Sequence, residues 1–275
     1  MSLLPPLSAG LLSAIVGYAS SAILVFQAAI HFGLSSTTAS SWLSVLCITM
    51  GCLTIYFSLK LKQPILFAWS TAGAVLLLNS SSQYSIHEVY GSIFFSYLLI
   101  LIFGFSGIFE KIINKIPMSL AHAMLSGILF NFTLNAFRVI QTQALLLISL
   151  FFLFLILRQK VPRYTILFLS VCGFIFATSN GLLDTQTLIS SLKINWAIPE
   201  FHSPQFNLSA IMSIGLPLFI VTMTSQNMSG IATLKAHNYN LPISKVIGWT
   251  GLIGLGISCL GGFSMNLSAI TAGLS

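Results

Sequence analysis

The sequence predicts an all-α, polytopic membrane protein. Of its 275 residues, 56% are hydrophobic and only 5% are charged, whereas soluble domains carry about a quarter charged residues. The mean hydropathy is +0.97. Charge-free runs recur along the whole chain, and most approach the ~20 apolar residues that a spanning helix needs. Together these observations exclude a soluble enzyme with a solvated surface.

The charge-free runs predict eight spanning helices in chain order. They cover residues 7–30, 40–59, 89–109, 118–137, 143–157, 164–180, 208–234 and 246–261. The stretch 63–79 is shorter and contains Pro64, Ser70 and Gly73, which are unusual in a lipid-facing helix. Residues 262–275 have a similar composition. We predict that both stretches are interrupted helices.

The basic residues predict the orientation of the chain. If 63–79 crosses the membrane, nine of the eleven Lys and Arg residues fall on one side; if it does not, at most seven do. Because cytoplasmic loops are enriched in Lys and Arg, crossing is favoured. The N-terminus is then cytoplasmic, and the connection 181–207 lies outside. These short clusters of charge are typical of loops, so no nucleic-acid surface is expected.

Enzymatic and metal sites find no support in the sequence. The four cysteines lie inside apolar runs, without the spacing of a disulfide framework or a zinc site. No phosphate loop, nucleophilic triad or catalytic carboxylate pair is present. We therefore expect a protein that is not an enzyme and that carries no metal or cofactor.

A shift of 200 residues reveals a weak internal repeat. It aligns 44–73 with 244–273 and gives six identities, three of which form the Thr-Ala-Gly at residues 71–73 and 271–273. The predicted crossings give the two copies opposite orientations, which is an inverted repeat. We expect a first repeat of seven segments in 1–180, an extracytoplasmic connection in 181–207, and the start of a second repeat in 208–275. About four further spans would complete that repeat by symmetry, so the sequence predicts a truncated chain.

Inverted repeats are typical of secondary transporters. Their interrupted helices meet near the bilayer midplane, where the N-termini of half-helices attract anionic or polar substrates. Polar residues at the two predicted interruptions are therefore candidates for the binding site: Ser70, Thr71, Asn266, Ser268 and Thr271. The same side chains could serve only as helix caps.

Two amides lie in the middle of an apolar span. Gln226 and Asn227 could donate hydrogen bonds to a substrate carboxylate, or they could hold helices together. Trp69 and Tyr18 could supply a flat surface for an aromatic ring, or they could anchor the chain at the membrane interface.

Two further groups are candidates. Ser20 and Ser21 could line the same cavity or allow close helix packing. His122 is the only titratable side chain well inside a predicted span. It is a candidate for proton coupling, because histidine changes charge near neutral pH.

Several segments resemble the benzoate/proton symporter (BenE) family. They are VGYASSAILVFQAA (16–29), PILFAWSTAGA (64–74), PRYTIL (162–167), LPLFIVTMTSQNMSGIATLKA (216–236) and GFSMNLSAITAG (262–273). The family usually has proline where this chain has Ala72. The resemblance implies fourteen segments in two inverted sevens, and uptake of benzoate or a related aromatic carboxylate with protons across the bacterial inner membrane. A homo-oligomer is compatible with this description.

Two other functions remain open at this level. A nucleobase or inorganic-anion carrier would have the same fold, although a nucleobase site would be expected to contain acidic residues. A non-transporting, truncated fragment would have the same segments without the activity.

Overall fold

The computed structural model describes residues 4–80, 84–115, 140–161, 165–182 and 198–268, and residues 130, 134, 137 and 138. The described elements follow one another as α1 (Leu4–His31), α2 (Ser36–Leu61), β1 (Phe67–Trp69), α3 (Thr71–Leu78), α4 (Ile86–Phe105), α5 (Ile108–Asn114), α6 (Ile140–Lys160), α7 (Thr165–Ser179), α8 (Leu208–Ala236), α9 (Ile243–Ser258) and β2 (Met265–Leu267).

The chain divides into two compact units. One contains Met1–Val16 and Ser126–Trp196, together with Ser275. In it α6 packs against α7, and the backbone of α6 departs from helical geometry at Gln143. The predicted helix 118–137, including His122, lies outside the described residues apart from isolated positions.

The other unit contains Gly17–Leu125 and Ala197–Leu274, and it holds both strands. Its helices begin where the sequence offers caps. Ser35 caps α2, and Ser85 forms a capping box with Glu88 at the start of α4. Such side chains satisfy backbone N–H groups that have no partner inside the helix.

One predicted helix is in fact two. The sequence predicts a single span over 89–109, but α4 ends at Phe105 and α5 begins at Ile108. Gly107 separates them with φ of +72°, a conformation that glycine adopts without steric cost. The other described helices overlap the predicted spans, with ends that differ by a few residues.

The unit is organised around the packing of α4 against α9. A Cβ atom on Gly251 would overlap the backbone of Leu101, and one on Gly254 would overlap the buried ring of Tyr97. Small residues at these positions let the two helices approach closely, as is usual between membrane helices.

Four described helices are long and apolar enough to cross a membrane: α2, α4, α6 and α8. Phe168–Ser179 and Ile243–Ser258 are apolar but shorter, and so is Ser21–His31, the part of α1 over which the side chains are described without gaps. The predicted polytopic, helical membrane protein is confirmed at this level, while the inverted repeat stays a prediction.

Contacts within the second unit sort its helix ends into two groups. The start of α2, the start of α4 and the end of α9 all contact the segment 200–205. At the opposite end, Gln63 donates to the carbonyl of Asn240, and Glu110 accepts from the N–H of Ser244. This grouping agrees with the predicted alternation of crossings. Which group faces the cytoplasm stays a prediction.

Candidate substrate-binding site

Two extended segments pair inside the second unit. Strands β1 and β2 are antiparallel, with Phe67 opposite Leu267 and Trp69 opposite Met265. The ladder continues on both sides: Ser70 N donates to the Ser264 carbonyl at 3.1 Å, and Ser268 N donates to the Leu66 carbonyl at 2.8 Å. Extended backbone at membrane depth is tolerated only where its polar groups are satisfied within protein, and each segment supplies partners for the other.

Hydroxyl groups of α2 support the segment that leads into β1. Thr54 Oγ1 accepts from Phe67 N at 3.1 Å. Ser58 Oγ accepts from Ile65 N at 3.2 Å and donates to the Ile65 carbonyl at 2.8 Å. These contacts replace the helical hydrogen bonds that the extended segment lacks.

Helix α3 begins directly after β1. Ser70 is fully buried and extended, and its Oγ accepts from Gly73 N at 2.9 Å. Thr71, the first residue of α3, is exposed. The stretch 63–79 is interrupted here although Ala72 stands where the resembling family usually has proline. The strand pairing and the Ser70 cap set the boundary between the extended segment and α3. The first backbone N–H groups of α3 have no helical partner.

Helix α8 contacts β2 through a π-helical segment. Two such segments interrupt it, at Ile211–Gly215 and Thr222–Asn227. In the second, Thr222 Oγ1 and Ser264 Oγ share a hydrogen bond of 2.7 Å, and Asn227 Oδ1 accepts from Leu267 N at 3.0 Å. A Cβ atom on Gly230 would lie 2.5 Å from the Leu267 carbonyl oxygen, so the helix lies directly against the strand.

The two predicted amides have different environments. Asn227 is fully buried, and its Nδ2 donates to Met223 Sδ at 3.6 Å. The hydrogen bond from Leu267 N to Asn227 Oδ1 holds the extended segment of β2 in place. Gln226 is half-buried, and its Nε2 donates weakly to Ser225 Oγ at 3.4 Å. Of the two, Gln226 has the amide with capacity to bind a ligand.

An aromatic pair lies at the end of β1. Trp69 is buried, and its Nε1 donates to Ser21 Oγ at 2.8 Å. Tyr18 packs edge-on against Trp69 with ring centroids 5.8 Å apart, and it is 48% exposed. Ser21 thus fixes the indole ring, and the Tyr18 ring is the exposed member of the pair.

Of the remaining predicted site residues, two lie in or next to β2, and the others lie outside the described residues. Asn266 is 2% exposed; its Nδ2 donates to the Leu267 carbonyl at 3.0 Å, and among the described residues nothing donates to its Oδ1. Ser268 is buried at the end of the ladder. Thr271, His122 and the side chain of Ser20 lie outside the described residues.

The place where β1 and β2 pair is named here the crossing. Sequence reasoning missed two hydroxyl contacts at the crossing. The bond between Thr222 and Ser264 and the support from Thr54 had no prediction. Both are hydroxyl residues inside apolar segments, where a buried hydroxyl needs a partner. That signal identifies such residues as bonded without naming the partner.

The arrangement combines hydrogen-bond donors with an aromatic surface. The start of α3 and Gln226 Nε2 can donate to an anion, and the Tyr18 ring, packed edge-on against Trp69, offers an apolar aromatic surface. Among the described residues, no group of three His, Cys, Asp or Glu side chains could hold a metal ion.

Comparisons with known proteins agree with this description. A family model described as "Benzoate membrane transport protein" (BenE) matches residues 2–275. The inner membrane protein YdcO of Escherichia coli (strain K12) is 37% identical over 270 residues, which are 98% of this chain and 68% of that protein. The benzoate membrane transport protein of Acinetobacter baylyi is 31% identical over 266 residues, which are 97% of this chain and 66% of that protein.

The chain thus spans about two thirds of the length of each of these relatives. Its apolar helices and these relatives identify a multi-pass protein of the inner membrane, in a family of transporters rather than enzymes. The chain belongs to the BenE family of benzoate membrane transport proteins.

Proposed function

We propose that the chain belongs to a secondary transporter that imports benzoate or a related aromatic carboxylate with protons. The observation that carries the proposal is the crossing of β1 and β2 beside the start of α3. A helix N-terminus with unpaired N–H groups attracts a carboxylate. Here that N-terminus follows directly on a buried aromatic side chain.

The carboxylate would accept hydrogen bonds from the first turn of α3 and from Gln226 Nε2. The neighbour of Gln226, Asn227, is bonded to Leu267 in β2, which brings this part of α8 to the crossing. Leu218 of the same helix contacts α3 at Gly73. The proposed donors therefore lie on elements that touch one another.

The aromatic ring of the substrate would pack against Tyr18 and Trp69. Offset or edge-on aromatic contacts contribute about 0.5–1.5 kcal/mol beyond the burial of area. Because Ser21 holds the indole ring in place, this surface exists before the substrate binds. A preformed surface favours a flat ring over a flexible aliphatic chain.

We propose further that the fold is an inverted repeat, with the second repeat beginning at α8. The register of the strands supports this. A two-fold axis through the Phe67–Leu267 pair relates each strand residue to the residue 200 positions later, and 200 is the shift that aligns 44–73 with 244–273. Inverted repeats in transporters are related by such an axis in the membrane plane.

The direct test is uptake of radiolabelled benzoate by cells that express the chain, with and without a protonophore. We expect uptake that the protonophore abolishes and that Gln226→Ala reduces at least about tenfold, the effect of losing one hydrogen bond to a charged group. Gln141→Ala, on an exposed position of α6, is the matched control and should transport normally.

The outcomes also separate the alternatives. Uptake that unlabelled nucleobase or sulfate suppresses as strongly as unlabelled benzoate would favour the other carriers of this fold. Confirmed membrane insertion without benzoate uptake, and without benzoate binding to the purified chain, would contradict the proposed function and favour a non-transporting protein.

A further inference from the structure

The segment 198–207, named here the strap, crosses one end of the second unit without helical structure. Its backbone bonds to two elements: His202 N donates to the Cys259 carbonyl at 2.9 Å, and Gln205 N donates to the His87 carbonyl at 2.9 Å. By the predicted topology this end faces the outside of the cell. The strap therefore ties the end of α9 to the start of α4.

His202 occupies an unusual position in the strap. Its ring stacks on Tyr90, with centroids 4.9 Å apart and planes inclined by 15°. Its Nε2 is buried and has no hydrogen bond among the described residues. The nearest carboxylate oxygen, Glu200 Oε2, lies 3.7 Å away, and Thr38 Oγ1 holds that oxygen with a bond of 3.0 Å.

We propose that His202 and Glu200 form a proton-binding site at this end of the protein. A proton on His202 Nε2 gives that nitrogen a hydrogen to donate, and the carboxylate is already held within ion-pair distance. The ring of Tyr90 beneath the imidazolium adds a cation–π attraction, which operates within about 6 Å. Neutral His202 can carry its single ring hydrogen on Nε2, but it has neither the ion pair nor the cation–π attraction.

The groups that face His202 from other elements limit the site to one proton. On α4, the ring of His87 lies 6.0 Å from that of His202, and its Nδ1 donates to the Ser203 carbonyl at 2.9 Å. Two charged imidazoles at that separation repel each other. Glu88, also on α4, is engaged by Asn207, and Cys259, which follows α9, contacts His202 through its backbone carbonyl.

The proton-binding site connects to β2 through buried aromatic side chains. Tyr90 OH accepts from Trp42 Nε1 at 2.8 Å. Trp42 packs on Phe263, with ring centroids 6.2 Å apart, and directly against Gly261. Phe263 is two residues before β2. Stronger contacts between His202 and Tyr90 therefore affect the packing of Trp42 and Phe263, which lead to β2 and the proposed substrate site.

The chain contains five histidines. The test is an NMR titration of the purified chain, labelled with ¹³C at histidine. His202→Gln assigns the signal. The signal is followed from about pH 5 to 8, the range in which histidine side chains change charge, and we expect it to respond to protonation of Nε2. Glu200→Gln should make this response weaker at a given pH, because it removes the carboxylate that lies 3.7 Å from Nε2.

Two matched variants sharpen the titration. Thr38→Val keeps the charge of Glu200 but releases its oxygen, so we expect a smaller change in the same direction. His87→Gln removes the neighbouring imidazole and keeps Glu200, so it serves as the control in which the response of His202 should persist. A His202 signal that does not respond in this range, or a response that Glu200→Gln leaves unchanged, would overturn the proposal.

A role of this proton in transport rests on the proposed function and has its own measurement. Benzoate affinity of the purified chain at pH 5.5 and 7.5 should differ more in the parent than in His202→Gln. If benzoate does not bind, the proposed function fails while the titration result stands. Equal pH dependence in both proteins would leave proton binding intact and refute its coupling to the substrate.

Discussion

The neighbours Gln226 and Asn227 allow stability and binding to be separated by two single substitutions. Asn227→Ala removes the acceptor for Leu267 N, a bond of 3.0 Å between fully buried groups. Gln226→Ala removes a half-buried amide whose bond to Ser225 is 3.4 Å long. Both changes delete an amide from the same helix, so each serves as the control for the other.

The structure gives different magnitudes for the two changes. A buried N–H left without a partner costs about 1–3 kcal/mol, so Asn227→Ala should lower the free energy of unfolding by that amount. For a chain of this size this corresponds to a fall in Tm of roughly 2–10 °C. Gln226→Ala should change the stability by no more than about 0.5 kcal/mol, yet weaken benzoate binding roughly 10- to 100-fold.

Thermal unfolding of the detergent-purified variants measures the first effect, and equilibrium binding of labelled benzoate measures the second. If Gln226→Ala lowered Tm as much as Asn227→Ala, the division of roles between the two amides would be wrong. If Gln226→Ala bound benzoate with the parental Kd, Gln226 would not contact the substrate.

Three further predictions concern packing, hydroxyl pairing and orientation. Gly254→Ala should destabilise the protein by about 1–3 kcal/mol, because its Cβ would overlap a buried aromatic ring of α4. Gly256→Ala is the control: no atom lies within 4 Å of its Cβ, so thermal unfolding should show it to be neutral or stabilising by up to ~1 kcal/mol. Thr222→Val should cost about 1–3 kcal/mol by leaving the hydroxyl of Ser264 unpaired, and adding Ser264→Ala should recover part of that loss; additive losses would contradict the pairing. Phe201→Cys, in a background without other cysteines, should react with a membrane-impermeant maleimide in intact cells, and reaction only after lysis would reverse the predicted orientation.

The sequence predicted the helical elements well because their signal is local. Charge-free apolar runs are required for spanning helices, and α2, α4, α6 and α8 follow them. The irregular character of 63–79 was equally readable from Pro64, Ser70 and Gly73. In the structure that stretch contains a strand and a short helix with a serine cap.

The contacts at the crossing could not be read in the same way, because they depend on pairing between distant residues. Nothing in the sequence distinguishes Asn227, which bonds to a strand 40 residues away, from Gln226, which does not. The break at Gly107 was also missed, since a single glycine inside an apolar run is compatible with a continuous helix. The role of the strap depends on stacking of His202 on Tyr90, 112 positions apart in the chain.

The π-helical segment of α8 has a consequence for how that helix can change. In a regular α-helix, residues five apart point about 140° away from each other. Thr222 and Asn227 are five apart, yet both reach the segment around β2, because the wider turn brings them to one side. Rewinding this turn to α-helical geometry would rotate one of the two side chains away from its partner. The helix therefore cannot become regular without releasing either Ser264 or Leu267.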